Sequence, residues 1–514
     1  MIQDARPMPN PLEHIVIVGG GTAGWMAAAM LAKLIVAKAP KPPRVTLIES
    51  DDISTVGVGE ATIPAIKKYM ALLGLNEADF MKYTQGTFKL GIEFVDWDRL
   101  GESYIHGFGK IGQDLGWMRP HQYWLKMRNS GKVSPRFDDY AVNPTACRNN
   151  KFAKARGDGR KSPVNDIGYA YHFDAGLMAR YLRRIAVPLG VKRVEGTIVD
   201  VRLKPDNGHV ESVVLKDGQV VSGDFFFDCS GFRSLLVGGA LGVAYESWSH
   251  WLPCDRALAV PCAGVTPMTP YTRSTARTAG WQWRIPLQHR IGNGHVYSSR
   301  FTSDDEAARV LMDNLDGKAL ADPRPIRFET GKRKKLWEKN VLAVGLSGGF
   351  IEPLESTSIH LIQTTVLRLL NLFPDKDFDP ATAAEYNAQA DSEIEHIRDF
   401  VIAHYKMTSR DDSEMWRYCR NMAVPDTLAR KLDGFSASGR VFKANDELFS
   451  EDSWIQVLMG QGLMPRGYDP IVDNYPEETI VAYLNNISSV VAKSVAAMPT
   501  HDQFVAAYCA AESL

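Results

Sequence analysis

The sequence predicts an α/β protein: a three-layer, Rossmann-like core, an antiparallel sheet beside it, and a helical C-terminal region. Three observations carry that reading. Ile15-Val-Ile-Val18 is β-branched and apolar, like a buried parallel strand, and it runs straight into Gly19-Gly-Gly-Thr-Ala-Gly24. The stretch Ala257 to Val296 alternates as antiparallel strands do. From Pro380 to the C-terminus the pattern is mostly helical, with breaks expected at Pro425 and at the glycine-containing stretch 433–440. The expected division is a core over 1–375, with the second sheet inserted at about 241–330, and a helical region over 376–514 that completes the site.

The first glycines give the core its expected task. Gly19, Gly21 and Gly24 fit G-x-G-x-x-G, a helical stretch follows from Trp25 to Lys38, and a second apolar strand, Val45 to Ile48, ends on Glu49. Gly19 allows the tight turn, Gly21 lets backbone approach a pyrophosphate, and Gly24 lets helix pack on strand. Thr22 and Ala23 complete the loop; the helix N-terminus offers N–H groups to phosphates, and Glu49 can accept from a ribose hydroxyl. This predicts a dinucleotide site without separating FAD from NAD.

Bulk composition excludes several classes. The 514 residues include 59 basic and 60 acidic ones, a net charge of −1 that argues for neither nucleic acid nor an anionic membrane as partner. Cys147, Cys229, Cys254, Cys262, Cys419 and Cys509 have no metal-type spacing and read as reduced thiols, so no metal site is expected. The first 13 residues carry Asp4, Arg6 and Glu13 without an apolar core, unlike a secretory leader, and no apolar run is long enough to span a bilayer. A soluble, cytoplasmic protein is expected.

After Glu49, Gly57 and Gly59 in an apolar loop read either as backbone pressed on a ligand or as a plain connection. Ile66 to Leu73 reads as a helix capped by Gly74, and Thr87 to Phe94 as a single strand. Within that strand Lys89, taken alone, reads as an exposed residue on one alternating face, because burying an ammonium is costly. Tyr104 to Trp124 is rich in aromatics and histidines, among them His106, Phe108 and Trp117; it can wall a pocket or pack a second layer. Residues 130–165 read as an irregular excursion. Phe173 to Leu189 reads as a helix, Lys192 to Leu203, Val210 to Leu215 and Gln219 to Phe227 as strands, with a hairpin turn at Asp206-Asn-Gly208. In Gly280-Trp-Gln-Trp-Arg-Ile-Pro286 the two tryptophans share one strand face. A strand at Asn340 to Val344 precedes Gly345 to Ser358, and an apolar helix follows from Ile359 to Leu372. Ser356, Thr357 and Ser358 stand at its N-cap and Glu355 beside a possible anion site.

Together, the loop ending at Trp25, Gly57-Val-Gly-Glu-Ala-Thr-Ile-Pro64, Phe88-Lys89, Trp281-Gln-Trp-Arg-Ile-Pro286 and Pro353-Leu-Glu-Ser-Thr357 resemble the flavin-dependent tryptophan halogenases, in order, from about residue 13 to about 466. The resemblance implies FAD, delivered reduced by a separate NAD(P)H-dependent flavin reductase, with O₂ and chloride or bromide as co-substrates and hypohalous acid as the product that reaches a lysine. Lys89 would then bind the acid as a hydrogen-bond donor or capture it as a haloamine, and Glu355 would take the ring proton in electrophilic aromatic substitution. Trp281 and Trp283, with Ile285 and Pro286, would separate flavin from the organic substrate. Thr357 and Ser358 would hold the halide, and His106, Phe108 and Ser356 would line the substrate pocket. Gly19, Gly21, Thr22, Ala23, Gly24, Glu49, Ile198, Leu346 and Ile359 would contact FAD; a homodimer is compatible with the resemblance.

Two departures from the family bear on substrate and halide. Ser358 stands where the family usually has Gly, placing a Cβ beside the halide; and no Tyr-Tyr pair with a following acid occurs between Arg430 and Trp454. The expected substrate is therefore an indole or another electron-rich aromatic rather than free tryptophan. A single-component flavin hydroxylase would share the glycine loop but leaves Lys89 and the tryptophan pair unexplained. A non-catalytic flavin-binding module would tolerate loss of Lys89 and Glu355.

Overall fold

The computed structural model describes residues 10–52, 59–155 and 162–512. Gly57 lies outside them; Gly59 opens the short strand Gly59–Ala61. The strand His14–Val18 sits inside a six-stranded sheet. Its order is Trp337–Glu338, Val341–Ala343, Phe225–Asp228, His14–Val18, Arg44–Glu49, Val191–Glu195, parallel throughout except for the first strand. Ile15 to Val18 are all buried, as strands covered on both faces must be. The helix Thr22–Leu31 crosses one face, continues as a wider turn over Ala32–Val36, and is packed by the helices Ala175–Ala186 and Ser358–Asn371.

Several boundaries differ from expectation for one reason: the chain changes sheets where the sequence reads as continuous strand. Lys192 to Leu203 is two strands, Val191–Glu195 in the parallel sheet and Ile198–Leu203 in a three-stranded antiparallel one. Gln219 to Phe227 likewise divides into Val220–Ser222 and Phe225–Asp228. Thr87–Lys89 pairs with Ala170–Asp174, whereas Gly91–Val95 belongs to another sheet. That sheet has seven strands, in the order Arg324–Arg327, Arg256–Cys262, Ile291–Tyr297, Gly280–Pro286, Thr272–Arg277, Gly91–Val95, Ser103–Gly107, and only the contact of Thr272–Arg277 with Gly91–Val95 is parallel.

The excursion 130–165 contains a short helix, Val142–Arg148, and Phe173 belongs to the strand preceding the helix Ala175–Ala186. The break expected at 433–440 comes late. The helix Asp426–Ser438 runs through Gly434, over which the Phe442 ring lies, and stops only at Gly439, whose φ of 71° ends it. Residues 440–450 then carry no helix or strand before the helix Glu451–Gly460. The longest helix, Pro380–Lys406, lays its second half, Ile394 to Tyr405, into the core. Among the described residues no helix is long and apolar enough to cross a membrane.

Candidate active site

A cavity of about 860 Å³ opens from the end of the first strand. Gly19, Gly21, Thr22, Ala23, Glu49, Ile198, Leu346, Ser358 and Ile359 line it, together with Trp283 and Ile285. Gly24 is not in the wall: a side chain there would collide with the Gly19 carbonyl, so it serves helix–strand packing. At Gly21 a Cβ would meet nothing within 4 Å, and the helix it precedes has no side-chain cap. This leaves a bare cradle of N–H groups facing open space, which fits the phosphates of a dinucleotide. Glu49 is less free than the sequence implies. Its carboxylate accepts from Trp25 Nε1 at 3.0 Å and pairs with Arg193.

Lys89 corrects the expectation of an exposed side chain. It is fully buried, because the chain leaves one sheet at Lys89 and enters another at Gly91, so neither face of the strand meets solvent. Between them Leu90 donates to the Pro270 carbonyl at 2.7 Å and accepts from Phe108 N–H at 2.8 Å. Lys89 Nζ donates to Ser356 Oγ at 2.7 Å and stands 5.2 Å from the centre of the Phe108 ring. Burial pushes its pKa down to about 7, against the pull of the Glu355 charge.

Glu355 is equally buried. His106 Nδ1 lies 2.9 Å and 3.1 Å from its two oxygens, and His404 Nε2 lies 2.8 Å from Oε1. Burial alone would raise this carboxyl; the two histidines outweigh it and hold the pKa down, at about 2. A carboxylate offers only lone pairs, so His106 Nδ1 carries the proton in this contact. His106 Nε2 is buried with no hydrogen-bond partner among the described residues. Around it stand Phe108, Phe400 and Phe449, the last two stacked at 3.7 Å between ring centres.

Three residues earlier, Glu352 behaves oppositely. Its Oε2 accepts from Trp281 Nε1 at 2.7 Å and from the Tyr405 hydroxyl at 2.8 Å, but burial dominates and lifts its pKa to about 7. Trp281 is thus pinned away from the cavity, while Trp283, 6.2 Å away between ring centres, faces it. Pro286 stays out of the wall and accepts from Thr87 through its carbonyl.

Ser356 joins the two halves, lining the cavity and touching Lys89. Its φ of 61° is a left-handed backbone for a residue with a side chain. The expected side-chain cap is not made: Thr357 holds the N-cap position of the helix Ser358–Asn371 without a capping bond, and its Oγ1 is buried with no hydrogen-bond partner among the described residues.

A tryptophan halogenase family model matches residues 14–477. The chain belongs to the tryptophan halogenase family. It is 35% identical over 481 residues to the tryptophan 6-halogenase of Streptomyces toxytricini, spanning 88% of this chain and 90% of that one. Among solved structures it is similar to a flavin-dependent halogenase from Xanthomonas campestris, at TM-score 0.94 and 47% identity over 98% of this chain and 100% of that one. A second, from Brevundimonas sp. BAL3, has TM-score 0.92 and 44% identity over 97% and 100%. The protein is thus a flavin-dependent halogenase enzyme on a Rossmann-like fold, as its sequence motifs implied.

Within this halogenase, Lys89, Glu355, Ser356, His106 and Phe108 come together, and Trp283 with Ile285 walls the cavity. Trp117, by contrast, is 92% exposed and walls nothing. Sequence reasoning missed His404, Glu352 and Tyr405. The two helical residues sit at adjacent positions of a helix that reads only as apolar and long, and Glu352 was passed over as part of a loop.

Proposed function

We propose that this chain halogenates an indole-type aromatic by electrophilic substitution. It would use FAD delivered reduced by a separate NAD(P)H-dependent reductase, with O₂ and chloride or bromide. The observation that carries this reading is Ser356, a single residue shared by the cavity wall and the Lys89 amine. Reduced FAD, when bound, supplies with O₂ the oxidising equivalents that turn halide into hypohalous acid. The residues from Gly19 to Ala23, Glu49, Ile198, Leu346 and Ile359 would hold it.

Halide would sit at the uncapped end of Ser358–Asn371, where Thr357 and Ser358 leave N–H groups unpaired and the dipole favours an anion. Hypohalous acid leaving that cavity meets Ser356 and then Lys89. The amine has an acceptor oxygen, an aromatic face and a carboxylate around it, a setting that favours the ammonium form as hydrogen-bond donor. The donor polarises the electrophile toward the ring. As the new carbon–halogen bond forms, the oxygen–halogen bond breaks and its hydroxide leaves as water with a proton from the Lys89 ammonium. The ring carbon's C–H bond then breaks, its electron pair returns to the ring, and the proton passes to a Glu355 oxygen, from which it can return to the Lys89 amine. An arenium ion is a strong acid, so a carboxylate with a pKa of about 2 remains a sufficient base. The unpartnered His106 Nε2 supports a substrate bearing an N–H donor, as indole does.

The test gives the purified protein FAD, a flavin reductase, NADH and O₂, with indole or tryptophan and chloride or bromide, and reads products by mass spectrometry. A halogen isotope pattern with indole that disappears in Lys89→Ala is the expected result. Comparable turnover of tryptophan would count against the substrate assignment, and a product heavier by one oxygen would replace the reading with a hydroxylase.

A further inference from the structure

We infer that His501, at the start of the C-terminal helix His501–Cys509, is a positioning residue for Lys89. Its neutral imidazole stands in for a missing ladder bond along the free edge of the strand that carries the amine. The inference rests on the assignment of Lys89 to halogen transfer. Thr87–Lys89 lies at the edge of a three-stranded sheet and pairs on one side only, with Ala170–Asp174. Tyr171, opposite Phe88, spends its own N–H and carbonyl on Thr62, on its far side. Phe88 therefore turns its N–H outward, as does Leu90 two residues on. Leu90 donates to the Pro270 carbonyl at 2.7 Å. Phe88 donates to His501 Nε2 at 3.1 Å, and His501 Nδ1 lies 3.0 Å from the Met268 carbonyl, two residues before Pro270. The ring bridges the strand to the segment that covers its edge.

Both partners fix the state of that ring. A backbone N–H can only donate, so Nε2 presents its lone pair; a carbonyl can only accept, so Nδ1 carries the hydrogen. Burial keeps this neutral form, pushing the pKa down to about 4 against the Met268 carbonyl and Asp502. The helix is anchored at both ends for the task. Asp502 Oδ1 accepts from Met268 N–H at 3.2 Å, and Phe504 meets the Phe88 ring edge-on. Beyond the last turn, Ala511 N–H donates to Gln288, whose amide donates to the Gly86 carbonyl just before the strand. The Thr87 hydroxyl donates to the Pro286 carbonyl and lies 2.9 Å from His172 Nδ1.

Lys89 thus stands between two N–H groups held from outside the sheet, and its Nζ meets Ser356 Oγ at 2.7 Å. Without an acceptor, the buried Phe88 N–H would be left unpaired, and the edge would shift to relieve it. A reacting group misplaced by about 1 Å can lose as much as ~10²-fold in rate. His501 is not in the cavity wall and acts only through the strand's backbone.

Two substitutions separate the halves of the ring. His501→Gln keeps an acceptor oxygen near the Nε2 position, whereas His501→Asn keeps only a donor near Nδ1. His501→Asn is expected to lower kcat about tenfold or more, with KM for the aromatic and the FAD dissociation constant within about twofold. His501→Gln is expected to stay within about threefold of wild type. Equal kcat in the two variants, or a change confined to KM, overturns the positioning role. Nitrogen-15 NMR of full-length, FAD-bound protein labelled at histidine and phenylalanine tests the bridge itself, with the His501 signals assigned by their loss in His501→Gln. At neutral pH Nδ1 is expected protonated and Nε2 unprotonated. The Phe88 amide should resist exchange in wild type and in His501→Gln, and lose that protection in His501→Asn. A protonated Nε2, or a freely exchanging Phe88 amide in wild type, overturns the inference whether or not His501→Asn folds. If the wild-type enzyme halogenates nothing, the role of Lys89 falls, while the spectrum still decides whether the ring bridges the edge.

Discussion

The cavity and the Lys89–Glu355 cluster lie on either side of Ser356 and are built on opposite plans. The cavity is open space lined by the glycine loop, by apolar side chains such as Trp283 and Ile285, and by scattered charged ones such as Glu49 and Arg183. The cluster consists of ionisable side chains with no exposure, brought from four separate parts of the chain: Lys89, His106, Glu355 and His404. A large cofactor can be recognised by shape and by N–H groups that any residue supplies. Moving a proton and an electrophile requires particular side chains, dehydrated and held by one another. The two sides should therefore fail independently.

The largest effect tests that independence. Lys89→Ala is expected to abolish halogenated product, by about three orders of magnitude or more, while the dissociation constant for FAD, read by flavin fluorescence, stays within twofold. The reverse case is Gly21→Ala. Its Cβ enters open space, so the melting temperature should hold, and FAD affinity should fall about tenfold through lost approach of backbone to phosphate. Either variant damaging both sides equally would break the comparison.

Next in size is a pH effect on the reactive side. With Lys89 acting as ammonium and its pKa near 7, halogen transfer in single turnovers is expected to fall as pH rises through about 7. A rate that rises through the same range would assign the neutral amine, and with it haloamine chemistry.

A smaller effect separates the two carboxyls within the cluster's own turn. Glu352 has a folded pKa of about 7 against an ordinary 4.5, so the folded state holds its proton more tightly. Its contribution to stability is full below pH 4.5 and is lost as pH rises through 7, at most about 3 kcal/mol for a shift of that size. Glu355 works in the other direction: its contribution is present above pH 4.5 and lost as pH falls toward 2. Glu352→Gln should flatten the decline between pH 5 and 7 in urea denaturation, leaving the acid side unchanged. The smallest effect concerns His106 Nε2. N-methylindole should react several-fold more slowly than indole, and His106→Phe should erase that difference.

Much of this was legible in the sequence, and what was not has a physical reason. The glycine loop, its flanking strands and the Trp281–Trp283 face are local patterns, written in consecutive residues with a fixed period. Lys89 defeated that logic: alternation assumes one sheet with one wet face, whereas the chain at Leu90 passes between two sheets and has none. Glu355 stood in a recognisable motif, but its partners His106 and His404 lie far from it in sequence and sit in a strand and a helix whose patterns announce only burial. The helix cap failed for the same reason that made the site: its hydroxyls do not close the helix end, and Ser356 turns instead to Lys89.

The crossing at Leu90 has a last consequence, for selectivity. Leu90 is clamped by backbone bonds on both sides, and the next residue, Gly91, lies so close to the His106 carbonyl that no side chain fits. The backbone that carries the amine is thereby fixed, and its Nζ is tied to Ser356. Which position is halogenated must then be chosen by the seat that presents the ring. Redesign for a new regioisomer should reshape the Phe108–Phe449 aromatic wall and leave the lysine where it stands.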